Sequence, residues 1–228
     1  MRHLIVVLMI WACTIAFASP AAGFTPLEAG CQRQPSGAFS ALSLTGFNSK
    51  KDVPLKQGVF LVAKPELIDP NFLHTVILLV SYGKDGAMGL IINRPTKITI
   101  QQAIPDIKEP KNASSNIYFG GPVNRNNLFA LFTSDKKPDD AKNAIGKVYF
   151  SGSKDVILSL LKSEDKKNKV RIYAGYAGWL PNQLEFEISR GSWKIIEASE
   201  EMIFSDYPEN IWPSIFKRPE EIMTWNLK

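Results

Sequence analysis

GVFLVAKPELIDPNFLHTVILLVSYGKDGAMGLIINRPT, residues 58–96, is the stretch whose pattern decides the fold. Val59 to Ala63 is a short apolar run that suits a strand. Pro65 to Phe72 is a polar connection, and Asp69-Pro70-Asn71 gives it turn chemistry, because short Asp and Asn side chains bond nearby backbone. Val76 to Val80 is apolar throughout, which suits a strand covered on both faces. Gly83-Lys84-Asp85-Gly86 forms a turn, and Met88 to Ile92 returns antiparallel, since the link is too short for a crossover. Asn93-Arg94-Pro95 then stops the hairpin. The stretch is rich in fold signals and poor in residues that do chemistry.

Downstream, strands and helices are interspersed without a repeat or a second domain boundary. Thr96 is placed to cap a short helix to Ile104. Asn116 to Phe119, Leu128 to Thr133, Val148 to Phe150, Val170 to Tyr176 and Trp193 to Glu197 read as strands, with Gly178 expected to break the fourth. Lys136 to Asn143 reads as a charged loop. Lys154 to Leu161 has Val156, Ile157, Leu160 and Leu161 at helical spacing. Pro181 to Arg190 is a helix with Pro181 in the first turn and Gly191 just past the end. Ser199 caps a short helix to Phe204. The tail carries Trp212, Phe216 and Trp225 and is expected to pack on the body.

Residues 1–23 read as a signal peptide. Arg2 and His3 form a basic start, Leu4 to Ala18 is apolar, and small residues follow for cleavage. The apolar run is too short to span a bilayer as a helix, which takes about 20 residues. The expected address is periplasmic or secreted. Residues 24–56, with scattered Pro and Gly, read as a linker or tether, and residues 57–228 as the domain. Cys31 is left alone in the mature chain, so no disulfide forms within it. Net charge is +5, and a chain starting at Phe24 would lose only Arg2. The lysines are spread without aromatic interleaving, which gives no strong nucleic-acid signal.

Three blocks carry a resemblance to the AlgH/YqgE-like bacterial family. The first holds Asp69-Pro70-Asn71-Phe72 and Asp85-Gly86-Ala87-Met88-Gly89-Leu90-Ile91-Ile92-Asn93-Arg94-Pro95. The second is Phe119-Gly120-Gly121-Pro122-Val123. The third is Gly175-Tyr176-Ala177-Gly178-Trp179 with Gln183-Leu184-Glu185, Glu187-Ile188 and Gly191-Ser192-Trp193. The resemblance covers about Gly58 to Trp212. It implies a single α+β domain, with a mixed, mostly antiparallel sheet curled towards a flattened barrel and flanked by helices. It implies no established activity; members are labelled transcriptional regulators, and ordinary members read as cytoplasmic. The family's His a few residues after Gly-Gly-Pro-Val is missing here, where Leu128 and Phe132 stand, so no role resting on that His transfers.

Candidate chemistry is sparse. His74, the only histidine outside the leader, has no second His or Cys beside it to complete a zinc set, so no metal and no cofactor is expected. Gly83 to Gly89 lacks the end of a phosphate-binding loop and joins two strands. Gly120 and Gly121 suit a tight turn or a close backbone approach, with ligand contact as the other possibility. Arg94, extended by Pro95, can clamp a carboxylate, either an internal Glu185 or Glu187 or an anionic ligand. Asn93, Arg94, Trp179, Gln183 and Glu185, with the two glycines, make the pocket candidate. No catalytic set is recognisable. The leading expectation is a non-enzymatic interaction or accessory domain with an unknown protein partner, docking through a rigid sheet surface and the aromatic tail. A small-molecule binder or cryptic enzyme around Asn93, Arg94 and Trp179 stands second. A transcriptional regulator stands last.

Overall fold

The computed structural model describes residues 53–107, 110, 113, 115–165 and 167–216. The expected leader, nearly all of the tether with Cys31, and Trp225 lie outside the described residues. The elements are β1 (Val59–Ala63), β2 (Val76–Gly83), β3 (Gly86–Ile91), β4 (Pro95–Thr99), α1 (Ile100–Ala103), β5 (Asn116–Phe119), β6 (Val123–Thr133), β7 (Lys142–Ile145) and β8 (Val148–Ser151). They continue as α2 (Lys154–Lys162), β9 (Val170–Trp179), α3 (Gln183–Ser189), β10 (Trp193–Glu197), α4 (Glu200–Ile203), a 3-10 turn at Pro208–Asn210, and α5 (Ile211–Phe216).

Among the described residues ten strands form one branched sheet in the order β10-β1-β2-β3-β9-β6-β8-β7, with β4 and β5 as a side branch on β9. Only β5 and β9 run parallel; the other ladders are antiparallel. The fold is a single α+β domain. The sheet curls but stays open: β7, at one end of the path, comes against Gln57 and Gly58 without laddering to β1.

The curl explains the unbroken apolar runs. Along β1, Phe60 and Val62 enter the inner core while Val59, Leu61 and Ala63 enter an outer one. In β2, Val76, Leu78 and Val80 point inward, and Ile77 and Leu79 point outward under α3. Both faces of a strand must then be apolar. A second outer core, with Ile100, Ile157, Leu161 and Ile172, lies beneath α1 and α2. Each fully buried Leu or Ile contributes about 1.5–3 kcal/mol, so these two strands supply much of the stability.

Four sequence expectations shift. Thr96 caps nothing, because Pro95–Thr99 pairs with β5 as a strand. The cap passes to Thr99, whose side chain accepts from the Gln102 amide at 3.2 Å while Gln102 returns the bond at 2.9 Å. Such a reciprocal pair satisfies two otherwise open N–H groups of a short helix. Gly178 does not end β9, which runs to Trp179 because β3 ladders across it. The charged loop after Lys136 hides β7, an exposed edge strand that buries only Ala144 and so shows no apolar pattern. Pro181 and Asn182 precede α3 rather than opening it, with Asn182 left-handed at φ 64°.

The tail closes one end of the inner core. Trp212 is buried in it, and its indole N–H donates to the Ala63 carbonyl at 2.6 Å. Phe216 packs partly buried beside it. The described part of the tail therefore packs on the body as expected, with Trp212 buried and Phe216 partly so. Arg171 anchors the same end. It is 6% exposed, and its guanidinium donates to the carbonyls of Ile203 and Ser205.

Tyr173 is fully buried next to this group, and among the described residues its hydroxyl has no hydrogen-bond partner. Burial pushes its pKa well above the ordinary value of 10, with the Arg171 charge acting the other way. The neutral phenol is the form the fold favours, so its contribution is complete below pH 10 and declines as pH rises past that point. Thermal melts between about pH 9 and 11.5 are expected to show stability falling by up to ~1.4 kcal/mol per pH unit above 10 from this group. Tyr173→Phe should flatten that decline; an unchanged alkaline limb in the variant would show that Tyr173 does not set it.

Candidate functional site

Asn93 sits where β3 ends. It is 7% exposed, and its Oδ1 accepts from the Val76 amide at 2.8 Å while its Nδ2 donates to the His74 carbonyl at 2.9 Å. The carboxamide thus stands in for a strand partner at the start of β2. It also fixes His74 in the left-handed region at φ 56°. The His74 ring lies 4.0 Å from the Trp212 ring.

Arg94 follows and reaches the loop between β1 and β2. Its Nη1 donates to the Asn71 carbonyl and its Nη2 to the Leu73 carbonyl, both at 2.7 Å. The internal partner is therefore backbone, in place of the expected Glu185 or Glu187. Burial draws the Arg94 pKa down, and the Asp69 charge opposes that. Arg94→Ala removes both bonds and is expected to cost about 1–2 kcal/mol in urea unfolding. Arg94→Lys, which cannot reach both carbonyls at once, should fall between. An Arg94→Ala protein with native stability would remove this structural role.

The loop that Arg94 holds inserts Phe72 between two indoles. Phe72 stacks near Trp179 at 6.3 Å and meets Trp193 edge-on at 5.7 Å between ring centres. Glu187 on α3 locks the pair from above. Its Oε2 accepts from Trp179 Nε1 at 2.9 Å and from Trp193 Nε1 at 2.8 Å, and its Oε1 accepts from Gln183 Nε2 at 3.0 Å. Glu185 takes a different partner, accepting from the Tyr82 hydroxyl at 2.6 Å. That bond raises the Tyr82 pKa, with burial adding to it. The helix ends cleanly: the Gly191 amide donates to Ile188 and the Ser192 amide to Glu187, with Gly191 at φ 80°. This is the paired C-terminal bonding that glycine permits.

Gly120 and Gly121 belong to a crossing. Tyr173 and Ala174 of β9 pair with β5 and also with β6, so those strands lie on opposite edges of β9. The chain between them steps over the β9 backbone. A Cβ on Gly120 would lie 2.3 Å from the Gly175 carbonyl oxygen, and one on Gly121 would lie 2.1 Å from the Tyr176 carbonyl carbon. Close approach of two backbones is what these residues provide.

The structure brings Arg94, Trp179, Gln183 and Glu187 onto one support, with Phe72 as the link. Their polar atoms face protein partners. The sequence pointed to Glu187 only as a possible mate for Arg94. The signal for its role was its spacing from two tryptophans on either side of the helix. The support displays large apolar side chains among exposed polar ones, and the Arg190 guanidinium lies 5.5 Å over the Phe186 ring. Leu180 is 67% and Phe186 60% exposed on the α3 side, and Ile68 is 80% exposed in the loop.

A separate cavity of about 530 Å³ opens between the end of α1, the first half of β6 and the start of α2, with Asp106, Asn126, Asn127 and Lys154 among its lining residues. None of the sequence candidates lines it.

The AlgH-like family model, DUF179, matches residues 60–222. This chain belongs to the AlgH-like family. A UPF0301 protein of Chlorobaculum tepidum is 35% identical over 162 residues, covering 69% of this chain and 83% of that protein. A UPF0301 protein of Streptomyces coelicolor is 29% identical over 170 residues, covering 71% and 85%. The solution structure of the AlgH protein from Pseudomonas aeruginosa has a TM-score of 0.61 at 30% identity, over 76% of this chain and 96% of that one. A crystal structure from Corynebacterium diphtheriae, protein DIP2367, has a TM-score of 0.62 at 21% identity, over 78% and 95%, and shares the fold. The AlgH-like match takes in the Arg94 support, the glycine crossing and the α3 lock together. It begins at Phe60, so the expected leader and tether precede it.

Proposed function

We propose that this AlgH-like chain is a non-enzymatic interaction domain, exported through its leader, that docks on a protein partner in the cell envelope. The observation that carries the reading is the display of Leu180, Phe186 and Ile68 on the two segments fastened to the Trp179–Trp193 pair. Single exposed apolar residues are ordinary, but a group of them over one rigid support marks an interaction surface. Aromatic anchors such as Phe186 carry a large share of binding energy in such surfaces. The support is stiff because Arg94 and Glu187 hold the loop and the helix at both ends. Asn93, Arg94, Trp179 and Gln183 are occupied by protein partners, which favours docking over a ligand pocket at this place.

The test places a photo-reactive residue at position 186 in the native host, followed by fractionation and mass spectrometry. The expected result is a mature chain starting near Ser19 to Phe24 in the periplasmic or secreted fraction. It should carry a discrete cross-linked protein that Leu180→Asp abolishes. A cytoplasmic chain retaining Met1 would overturn the export half. Cross-links no different from those at an exposed polar control site would overturn the docking half.

A further inference from the structure

The cavity beside α2 is built by an irregularity in the sheet. Between Val123 and Leu128 the β6–β9 register shifts, so the intervening residues leave the ladder. Asn124 turns left-handed there at φ 48°. The excursion brings Asn126 and Asn127 to the cavity, above the partly buried Leu128. Ile104 and Ile157, 8% and 4% exposed, supply apolar floor from the α1 end and from α2.

Charges of both signs line this space. Asp106 comes from the α1 end and Lys154 from the first position of α2. They form no ion pair with each other. Among the described residues the side chains of Asp106, Asn126, Asn127 and Lys154 make no hydrogen bond or ion pair. The α2 start also lacks a side-chain cap, since Ser153 accepts no bond from it. An anion near Lys154 is favoured there by the helix dipole as well.

Both charges sit at the exposed mouth of the cavity, and an apolar ligand would engage neither of them. A ligand of one charge would leave the other unanswered. The geometry points to a zwitterion with an apolar side chain, a hydrophobic amino acid or the ends of a short peptide. Lys154 takes the carboxylate, Asp106 the ammonium, and the Asn126 and Asn127 carboxamides the polar groups between. Ile104, Leu128 and Ile157 receive the side chain. This assignment is independent of the docking surface on α3.

The experiment titrates the full chain, isotope-labelled for NMR, with leucine, with leucyl-leucine and with N-acetyl-leucyl-leucine amide. Leucine or leucyl-leucine should shift the amide signals of Asn126, Asn127 and Lys154 saturably, and the capped dipeptide should not. Tighter binding by leucine identifies a free amino acid; tighter binding by the dipeptide identifies peptide ends. Lys154→Glu and Asp106→Lys should each weaken binding about fivefold, in line with an exposed charge contact. Both positions are exposed, so the variants are expected to fold. No saturable shift at these three residues, equal binding of the capped dipeptide, or unchanged affinity in both variants would each overturn the assignment.

Discussion

Alanine at Gly121 is expected to cost more than ~3 kcal/mol and to leave little folded protein at growth temperature. The added Cβ would stand 2.1 Å from the Tyr176 carbonyl carbon and 2.3 Å from the Ala177 nitrogen. Both are backbone atoms, so no side chain can turn aside to make room. The β9 backbone is also held from both edges, by β3 through Ala177 and by β6 through Tyr176. Relief requires separating the crossing from β9 and breaking ladder bonds with it. Gly83→Ala is the matched control, because nothing lies within 4 Å of its Cβ position. It should stay within about 1 kcal/mol of the parent. Urea unfolding of both variants is the measurement. A Gly121→Ala protein with the parent's midpoint would mean that the crossing is looser than described.

Glu187→Ala should be the next most damaging change, at about 2–4 kcal/mol. It leaves the Trp179 and Trp193 indole N–H groups without their acceptor and frees Gln183. Each partly buried donor left open costs about 1–3 kcal/mol, the lower end applying where water reaches it. For a domain of this size a loss of about 3 kcal/mol lowers Tm by roughly 6–12 °C. Glu187→Gln separates this account from loss of packing. Its amide oxygen can still accept from both indoles, so it should retain more than half of the stability. Tryptophan fluorescence reports the same contrast, red-shifted in the alanine variant and near native in the glutamine one. Equal losses in the two variants would show that the negative charge, rather than the acceptor geometry, matters.

Much of the fold was legible because the strands are buried on both faces. The Val76 to Val80 run, the Gly83–Gly86 turn and the Met88 return need no tertiary information to be read. The α2 periodicity and the Gly191 stop of α3 are equally local. The misreadings arose where a partner strand decides the matter. Thr96 is a good cap by itself, yet β5 recruits its segment as β4. Gly178 is a poor strand residue by itself, yet β3 pairs across it. For the candidate site, the sequence singled out residues that matter and gave them partners of the wrong kind. Arg94 binds two carbonyls, which no sequence pattern announces. Arg171 was the quiet signal passed over, a cation within an apolar strand. The strand read from Leu128 left out Asn126 and Asn127, because the bulge that carries them to the cavity exists only against β9.

The pairing of β1 with β10, Val59 opposite Glu197, has a consequence for how the chain is made. Among the described strands, the first to leave the ribosome waits for the last. β3 waits for β9 as well, so the β1–β2–β3 meander keeps both outer edges open through most of synthesis. Edges of that kind recruit other chains, and closure over such long sequence separations is slow. Translation order therefore gives a holding chaperone a long interval in which to bind the nascent chain. Any machinery that needs the polypeptide threaded before it folds would have the same interval to use.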